Sequence, residues 1–161
     1  MINRAYFAQP SRFSGAEIIP GLFLGNAKMA NSNWILNQLN IKVIVNCAFE
    51  VKSPLAGVGD YQHYFLYLDD SYTQDLQETI SRILPIIDQH LNKKEKVLIH
   101  CAQGISRSAS ILAAYLMWKR KLPFAKALKM IQEKRVIANP NLSFQRQLKA
   151  FEQKILTPKD V

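Results

Sequence analysis

Cysteine is scarce in this chain of 161 residues, which contains only Cys47 and Cys101. Two cysteines cannot build the multi-bridge framework that stabilises small secreted domains. Residues 1–4 lack the apolar core of a signal peptide, and residue 2 is not the glycine that N-myristoylation requires. We therefore expect a cytoplasmic protein that is not secreted, with nuclear access left open.

Long apolar runs are also lacking. The longest mainly apolar stretch, residues 109–118, is far shorter than the roughly 18 residues that a membrane-spanning helix needs. A hydrophobic content of 48% and a charged content of 20% are typical of a globular domain. The sequence therefore predicts no membrane span, and one domain of residues 16–157 that follows an N-terminal arm of residues 1–15.

Acidic residues are few, with 12 Asp and Glu against 21 Lys and Arg, which gives a net charge of +9. An excess of positive charge favours an anionic substrate or partner. The lysines, however, cluster mainly at predicted helix ends and on outer helix faces, where cations are common in any case. Nucleic acid therefore stays an alternative partner that is not favoured, and the oligomeric state is unknown from the sequence.

Short apolar runs alternate with helical patterns along the chain. The predicted strands are residues 17–19, 22–24, 43–47, 64–68 and 97–100. The predicted helices are residues 34–39, 76–91, 108–119, 124–131 and 144–155. Ser32 is a candidate cap, Pro85 a candidate kink and Pro123 a candidate first helical residue. The alternation predicts a single α/β domain with a central sheet flanked by helices.

The segment that joins the last predicted strand to the helix of residues 108–119 carries the chemistry. The strand ends at Cys101, and Arg107 follows after a short loop that contains Gly104. Backbone N–H groups of such a loop, together with a helix start, favour a bound anion and a cysteine thiolate. The planar guanidinium of Arg107 can grip two phosphate oxygens. The predicted phosphate-binding residues are Ala102, Gln103, Gly104, Ile105, Ser106 and Arg107.

The string His-Cys-x-x-Gly-x-x-Arg-Ser at residues 100–108 resembles the signature of the cysteine-based protein phosphatases, and of the small dual-specificity branch in particular. Residues 18–26, 41–46 and 139–148 resemble further segments of that family in the same order. The resemblance implies a protein-tyrosine-phosphatase-like fold with a mostly parallel, mixed sheet of about five strands. It also implies hydrolysis of phosphotyrosine and phosphoserine or phosphothreonine in phosphorylated proteins. The reaction would pass through a cysteinyl-phosphate on Cys101, without metal or cofactor.

The family also needs an acid and a hydroxyl beside the sulfur. Asp69 and Asp70 both lie at the distance before Cys101 at which the family places its acid. The polar stretch of residues 71–75 matches the family better when Asp70 is the acid, so we favour Asp70 and keep Asp69 as the alternative. Ser108 matches the hydroxyl that hydrogen-bonds the sulfur and assists hydrolysis of the phosphoenzyme.

Three further residues have two interpretations each. His100 should face away from the sulfur, because neighbours on a strand point to opposite faces, so it is expected to steady the loop. Asn141 caps the last helix or reaches the phosphate loop, with capping favoured. Arg135 is either structural or substrate-facing. His63, His90 and His100 lack the spacing of metal ligands, so no metal site is expected.

Cys47 ends an apolar strand just as Cys101 does. If the two strands are parallel neighbours, the spacing of about 4.8 Å brings both sulfurs within the range of a disulfide. Some relatives protect their nucleophile in this way, which makes Cys47 a candidate redox partner. A small buried hydrophobe is the favoured alternative.

Two other functions remain open on the same scaffold. The net charge keeps an RNA 5′-phosphatase as an alternative, and a phosphate-binding module without turnover is a second one. The uncharged loop residues argue against inositol lipids, whose phosphatases in this family usually carry lysines there.

Overall fold

The computed structural model describes residues 14–157, and no helix within that range is long and apolar enough to cross a membrane. Its strands are β1 (Gly15–Ile19), β2 (Leu22–Gly25), β3 (Ile41–Ala48), β4 (Gln62–Leu68) and β5 (Lys96–His100). Its helices are α1 (Ala27–Ala30), α2 (Asn33–Leu39), α3 (Gln77–Asn92), α4 (Arg107–Arg120), α5 (Phe124–Lys134) and α6 (Leu142–Leu156). The predicted arm lies outside the described residues up to residue 13, and residue 15 already belongs to β1.

The strands form a mixed sheet in the order β1-β2-β5-β3-β4. β1 pairs antiparallel with β2, and all the other neighbouring strands are parallel. Parallel strands end at the same edge of a sheet, and ligand sites of open α/β sheets lie at that edge. The predicted α/β fold, with a mostly parallel sheet flanked by helices, is confirmed. The residues that follow β3, β4 and β5 therefore meet at one edge.

Each face of the sheet carries its own apolar cluster, because side chains alternate along a strand. Ile44 and Leu98 pack on one face with residues of α1 and α2. Val45 and Ile99, their neighbours along β3 and β5, pack on the other face with residues of α3, α4, α5 and α6. The sheet is thus the middle layer of three, and the second face carries the larger core.

The central helix of the second face is α4, which is buried almost throughout. All residues from Arg107 to Met117 are buried. A helix enclosed in this way has no solvent-facing stripe, which is typical of a core position. It packs against α3, α5, α6 and β5. Its first residue, Arg107, is therefore held firmly at the carboxyl edge of the sheet, beside the end of β5.

The predicted helix boundaries are close to the observed ones. The Oγ of Ser32 accepts a hydrogen bond from the backbone N–H of Ile35 (3.3 Å), which confirms the cap of α2. Pro85 lies inside α3. Pro123 was expected at the first helical position but is the N-cap of α5, with extended backbone, and its carbonyl accepts from the N–H of Ala127. Proline fits there too, because backbone N–H groups at a helix start have no intrahelical partner.

Candidate active site

Cys101 is the first residue after β5, at the carboxyl edge of the sheet, and is 3% exposed. Its Sγ lies 3.1 Å from the Oγ of Ser108, in the first turn of α4. The sulfur therefore lies between the end of a strand and the start of a helix, where the helix dipole is positive. The structure brings the two predicted residues into the contact that the resemblance implied.

The loop between Cys101 and α4 has its carbonyl groups held by donors outside the loop. The carbonyl of Ala102 accepts from the backbone N–H of Ala27 (3.1 Å). The carbonyl of Ile105 accepts from the backbone N–H of Asn139 (2.7 Å). These bonds tie one end of the loop to α1 and the other end to the connection between α5 and α6.

Arg135 holds the middle of the same loop. Its Nε donates to the carbonyl of Gly104 (2.9 Å), and its Nη2 donates to the carbonyl of Gln103 (2.9 Å) and to the Oγ of Ser14 (3.0 Å). The residue is 6% exposed. Of the two interpretations of Arg135, these contacts favour the structural one.

The backbone N–H groups of residues 102–107 donate to no acceptor within residues 14–157. In a trans peptide the N–H points opposite to the carbonyl that precedes it. Because the carbonyls of residues 102–105 are bonded outward, the following N–H groups face the other way, toward the inside of the loop. Convergent N–H groups at a helix start bind anions. The loop has the form of the predicted phosphate cradle.

Gly104 is required by this geometry for two reasons. Its φ is +69°, a region that residues with a side chain rarely adopt. A Cβ atom would also lie 2.6 Å from the carbonyl oxygen of Gly25 and 2.8 Å from Nη2 of Arg135. Any side chain here would therefore push the loop away from β2 and from the guanidinium that holds its carbonyls.

Arg107 is paired with a residue that the sequence analysis did not single out. Its Nη1 and Nη2 donate to the two carboxylate oxygens of Glu50 (2.6 and 2.5 Å), and Nη1 also donates to the carbonyl of Leu68 (3.1 Å). A guanidinium has five N–H donors in a fixed plane. The Nε–H and one N–H of Nη2 have no acceptor in the described part of the chain, and they lie on one edge of the guanidinium. That edge has the geometry to grip two phosphate oxygens.

Glu50 lies in the loop between β3 and β4. Its side chain is 43% exposed, yet its carboxylate reaches the almost buried guanidinium of Arg107. The hydrogen bond from Arg107 lowers the pKa of Glu50, so the pair stays ionised at a pH at which an isolated glutamate begins to protonate. A signal was available, because Glu50 follows β3 and so lies at the same edge as Cys101.

Asp70 is held by Asn141. The Nδ2 of Asn141 donates to an Asp70 carboxylate oxygen (2.9 Å), while its Oδ1 accepts from the N–H of Phe144 (2.9 Å) and caps α6. Its backbone N–H also donates to the Oγ of Ser106 in the phosphate loop (2.9 Å). Asn141 therefore fulfils both interpretations at once, and it connects the loop of Asp70 to the phosphate loop.

The two candidate acids have different surroundings. No side-chain hydrogen bond of Asp69 is present within residues 14–157; its backbone N–H donates to Oε1 of Gln74 (2.9 Å). Burial by itself lowers the pKa of Arg107, but the hydrogen bond to Glu50 and the negative charges of Cys101, Glu50 and Asp70 together raise it. These contacts favour Asp70, as the sequence did.

His100 faces the side of the sheet opposite to the sulfur. Its register partner Asn46 and its neighbour Leu98 share that side, whereas Cys101 belongs to the core of the α4 face. The Nδ1 of His100 lies 3.2 Å from the carbonyl of Cys101. Burial lowers the pKa of His100 to about 4, so the ring is neutral near pH 7 and can donate to that carbonyl. This is the steadying contact expected of it.

Cys47 lies beside Cys101 across two parallel strands. The last paired residues of β3 and β5 are Asn46 and His100, so the next position on each strand is a cysteine. Both cysteines are reduced, and both belong to the core of the α4 face. Burial, and then the negative charge of Cys101, raises the pKa of the Cys47 thiol well above its ordinary value. The predicted neighbourhood of the two residues is therefore present.

Comparison with known proteins identifies the family of this site. The model of the dual-specificity phosphatase catalytic domain matches residues 22–154. The chain belongs to that family. Within residues 14–157, no group of three or more His, Cys, Asp or Glu residues is placed to hold a metal ion.

Individual relatives agree with this assignment. Human dual specificity protein phosphatase 1 is 34% identical over 142 residues, which are 88% of this chain and 38% of the relative. The crystal structure of human DUSP28 matches with a TM-score of 0.82 and 27% identity over 91% of this chain and 96% of that one. The human tyrosine phosphatase-like serine/threonine/tyrosine-interacting protein matches with a TM-score of 0.81 and 29% identity over 89% and 98%. The chain thus spans under half the length of its curated relative.

Replacing Glu50 by glutamine tests the pairing with Arg107. Glu50→Gln keeps the size of the side chain but removes the charge that holds the guanidinium, so kcat/KM for an aryl phosphate should fall about tenfold, as expected for a hydrogen bond between charged groups. Glu50→Asp should recover part of the loss, and Glu78→Gln, on α3, should have no effect. Unchanged kinetics of Glu50→Gln would mean that Arg107 is positioned by the carbonyl of Leu68 and by α4 alone.

Proposed function

We propose that this chain is a protein phosphatase that hydrolyses phosphotyrosine and phosphoserine or phosphothreonine through a cysteinyl-phosphate on Cys101. One observation carries the proposal. The carbonyls of the loop after Cys101 are bonded outward, which leaves its N–H groups available to a phosphate that would bind above the sulfur. The names of the relatives support the same activity.

In the first step the Cys101 thiolate attacks phosphorus in line with the ester oxygen. The sulfur–phosphorus bond forms as the phosphorus–oxygen bond breaks, and Asp70 donates a proton to the departing oxygen. The N–H groups of residues 102–107 and the free edge of Arg107 hold the three remaining oxygens. Asn141, which bonds to both Asp70 and Ser106, keeps the acid at a fixed distance from the cradle.

In the second step water hydrolyses the phosphoenzyme. The Asp70 carboxylate, left by the first step, removes a proton from the water as its oxygen attacks phosphorus. The sulfur–phosphorus bond breaks, and the departing sulfur regains negative charge. Ser108, whose Oγ lies 3.1 Å from that sulfur, can donate a hydrogen bond to it and so stabilise the leaving group.

Both classes of phosphorylated residue are included for a physical reason. Asp70 is an exposed residue, whereas Cys101 is 3% exposed. We expect here the shallow pocket of the dual-specificity family, which would admit phosphoserine and phosphothreonine as well as the longer phosphotyrosine. A nucleophilic thiolate also requires a reducing environment, so we propose a cytoplasmic location, with nuclear access left open.

Cys101 and Arg107 are tested first. Cys101→Ser should abolish turnover of an aryl phosphate but still bind a phosphopeptide, because the cradle N–H groups remain. Arg107→Lys should lose most of the rate, since an ammonium cannot make the bidentate contact. Steady-state kinetics measure turnover and titration calorimetry measures phosphopeptide binding. Lys126→Arg, on the outer face of α5, is the control. Normal turnover by Cys101→Ser would refute the assignment.

Asp70 is tested against its neighbour Asp69. Asp70→Asn should lower kcat about 10²- to 10⁴-fold on substrates with poor leaving groups, a usual range for a general acid. The loss should be much smaller on an activated aryl ester, which needs little protonation. Asp69→Asn should be mild on both substrates. If the two variants exchange phenotypes, Asp69 is the acid and the contact between Asn141 and Asp70 is structural.

We infer a second property from the register of Cys47 and Cys101, namely protection of the nucleophile by a disulfide. Peroxide oxidises the Cys101 thiolate to a sulfenic acid as its O–O bond breaks and hydroxide leaves. The Cys47 sulfur then attacks the sulfenic sulfur, its proton leaves with the hydroxyl as water, and the disulfide forms. Neighbouring strands at about 4.8 Å lie within the Cα separation that a disulfide tolerates.

Peroxide treatment tests this inference. The wild type should be inactivated reversibly, with activity restored by a thiol reductant, and mass spectrometry should detect a linked pair of peptides containing Cys47 and Cys101. Cys47→Ser should progress to irreversible loss, because the sulfenic acid is oxidised further. Equal recovery of both proteins, without a linked pair, would leave Cys47 as a buried packing residue.

A further inference from the structure

Four rings form a ladder that begins at the residue before β4 and continues along one face of the strand. Tyr61, His63, Phe65 and Tyr67 occupy alternate positions, so their side chains share a face. The rings of His63 and Phe65 are stacked at 6.0 Å between centroids, and those of Phe65 and Tyr67 at 5.9 Å. Tyr61 packs edge-on against His63 at 6.4 Å. Phe65 is 37% exposed and Tyr67 is 69% exposed, so these two rings of the ladder face solvent.

Within residues 14–157, the strand that carries the ladder is the last strand of the sheet and pairs with β3 alone. On its other side, the backbone groups of residues 62–67 have no hydrogen-bond partner within residues 14–157. Natural edge strands are usually protected by charged residues or proline. β4 reads Gln-His-Tyr-Phe-Leu-Tyr-Leu and contains no proline, lysine, arginine, aspartate or glutamate. Its outer edge is therefore open to a further strand.

The last ring of the ladder, Tyr67, lies next to active-site residues along the chain. Tyr67 adopts a φ of +53°, beside an irregularity in the pairing of β3 and β4. A bulky residue in this left-handed region is uncommon, and such strain is concentrated at functional sites. The next residue, Leu68, accepts a hydrogen bond from Arg107 through its carbonyl, and Asp70 follows shortly after. A chain bound along β4 would thus end beside the phosphate cradle.

The charges around β4 distinguish a partner from a second copy of this chain. Asp60 precedes the strand, and Asp69 and Asp70 follow it. An antiparallel pair of two β4 strands centred on Phe65 would bring Asp60 of each copy opposite Asp70 of the other, and like charges in that position are destabilising. Two copies with a net charge of +9 would also repel each other. The acidic ends instead favour a strand with basic residues at its own ends.

We propose that the outer edge of β4 binds an extended segment of the phosphoprotein substrate as an additional strand. The backbone of the segment pairs with β4, its alternate apolar side chains cover Phe65 and Tyr67, and its basic ends face Asp60 and Asp69. This inference rests on the proposed function and adds a docking preference to it. Strand addition of this kind takes affinity from the main chain and selectivity from alternate side chains.

Peptide substrates test the surface. The probe is a phosphotyrosine peptide whose flank alternates valine and threonine and carries an arginine at each end; the reference is the same peptide without the flank. Wild-type kcat/KM should be higher for the flanked peptide. The double variant Phe65→Thr and Tyr67→Asn removes two exposed rings. It should lower kcat/KM for the flanked peptide about tenfold by raising KM, an effect that is typical of the loss of aromatic interface anchors. Asparagine tolerates the positive φ of residue 67.

Three controls separate docking from catalysis. The double variant should hydrolyse an aryl phosphate and the unflanked peptide as the wild type does. Leu156→Thr, which alters an exposed apolar residue at the end of α6, should leave all substrates unaffected. A flank with alternate N-methylated peptide bonds, or with glutamate in place of arginine, should behave like the unflanked peptide.

The inference is wrong if the double variant or the N-methylated flank leaves kcat/KM of the flanked peptide unchanged. Sedimentation that detects a wild-type dimer and a monomeric double variant would overturn it in favour of a second copy as the occupant of β4. Failure of the wild type to hydrolyse any aryl phosphate or phosphopeptide would refute the proposed function instead, and the two failures are therefore distinguishable.

Discussion

The outward anchoring of the phosphate-loop carbonyls is the constraint on which the rest of the site depends. A peptide plane cannot turn its N–H toward a ligand unless the carbonyl on its other side is satisfied elsewhere. Here Ala27, Asn139 and Arg135 supply those outside donors, and each belongs to a different part of the fold. The core that packs α1, α5 and α6 around the sheet thereby also sets the direction of the loop N–H groups.

Two arginines contribute differently to the charge around Cys101, because one is paired with a carboxylate and the other is not. Arg107 shares its charge with the Glu50 carboxylate, so the pair contributes little net charge but presents a fixed edge of donors. Arg135 is buried, and its partners within residues 14–157 are two carbonyls and a hydroxyl, with no carboxylate. Burial lowers the pKa of Arg135, whereas the negative charge of Cys101 raises it. The positive charge of Arg135 is therefore available to the Cys101 thiolate and to the phosphate that we propose binds there.

Much of this arrangement was predictable from the sequence, because it follows from local periodicity. Alternation along β5 placed His100 and Cys101 on opposite faces, and the strand-to-helix transition located the cradle between Cys101 and Arg107. The fold followed from the alternation of five apolar runs with helical stripes. These features depend on backbone geometry that repeats every two or 3.6 residues, and the sequence displays that repeat directly.

What the sequence did not reveal lies where that periodicity ends. Glu50 is 57 positions from Arg107 along the chain, and a loop has no repeat that fixes the direction of a side chain. Asp69 and Asp70 were hard to separate for the same reason, since the irregular pairing before Leu68 interrupts the alternation that would have assigned them to faces. The two roles that the sequence presents as alternatives for Asn141 belong to different groups, since its Oδ1 caps α6 and its backbone N–H reaches Ser106. A side-chain amide both accepts and donates, so one residue can cap α6 and hold Asp70. Contacts between loops at the carboxyl edge therefore require the tertiary structure, even where each loop is correctly located from the sequence.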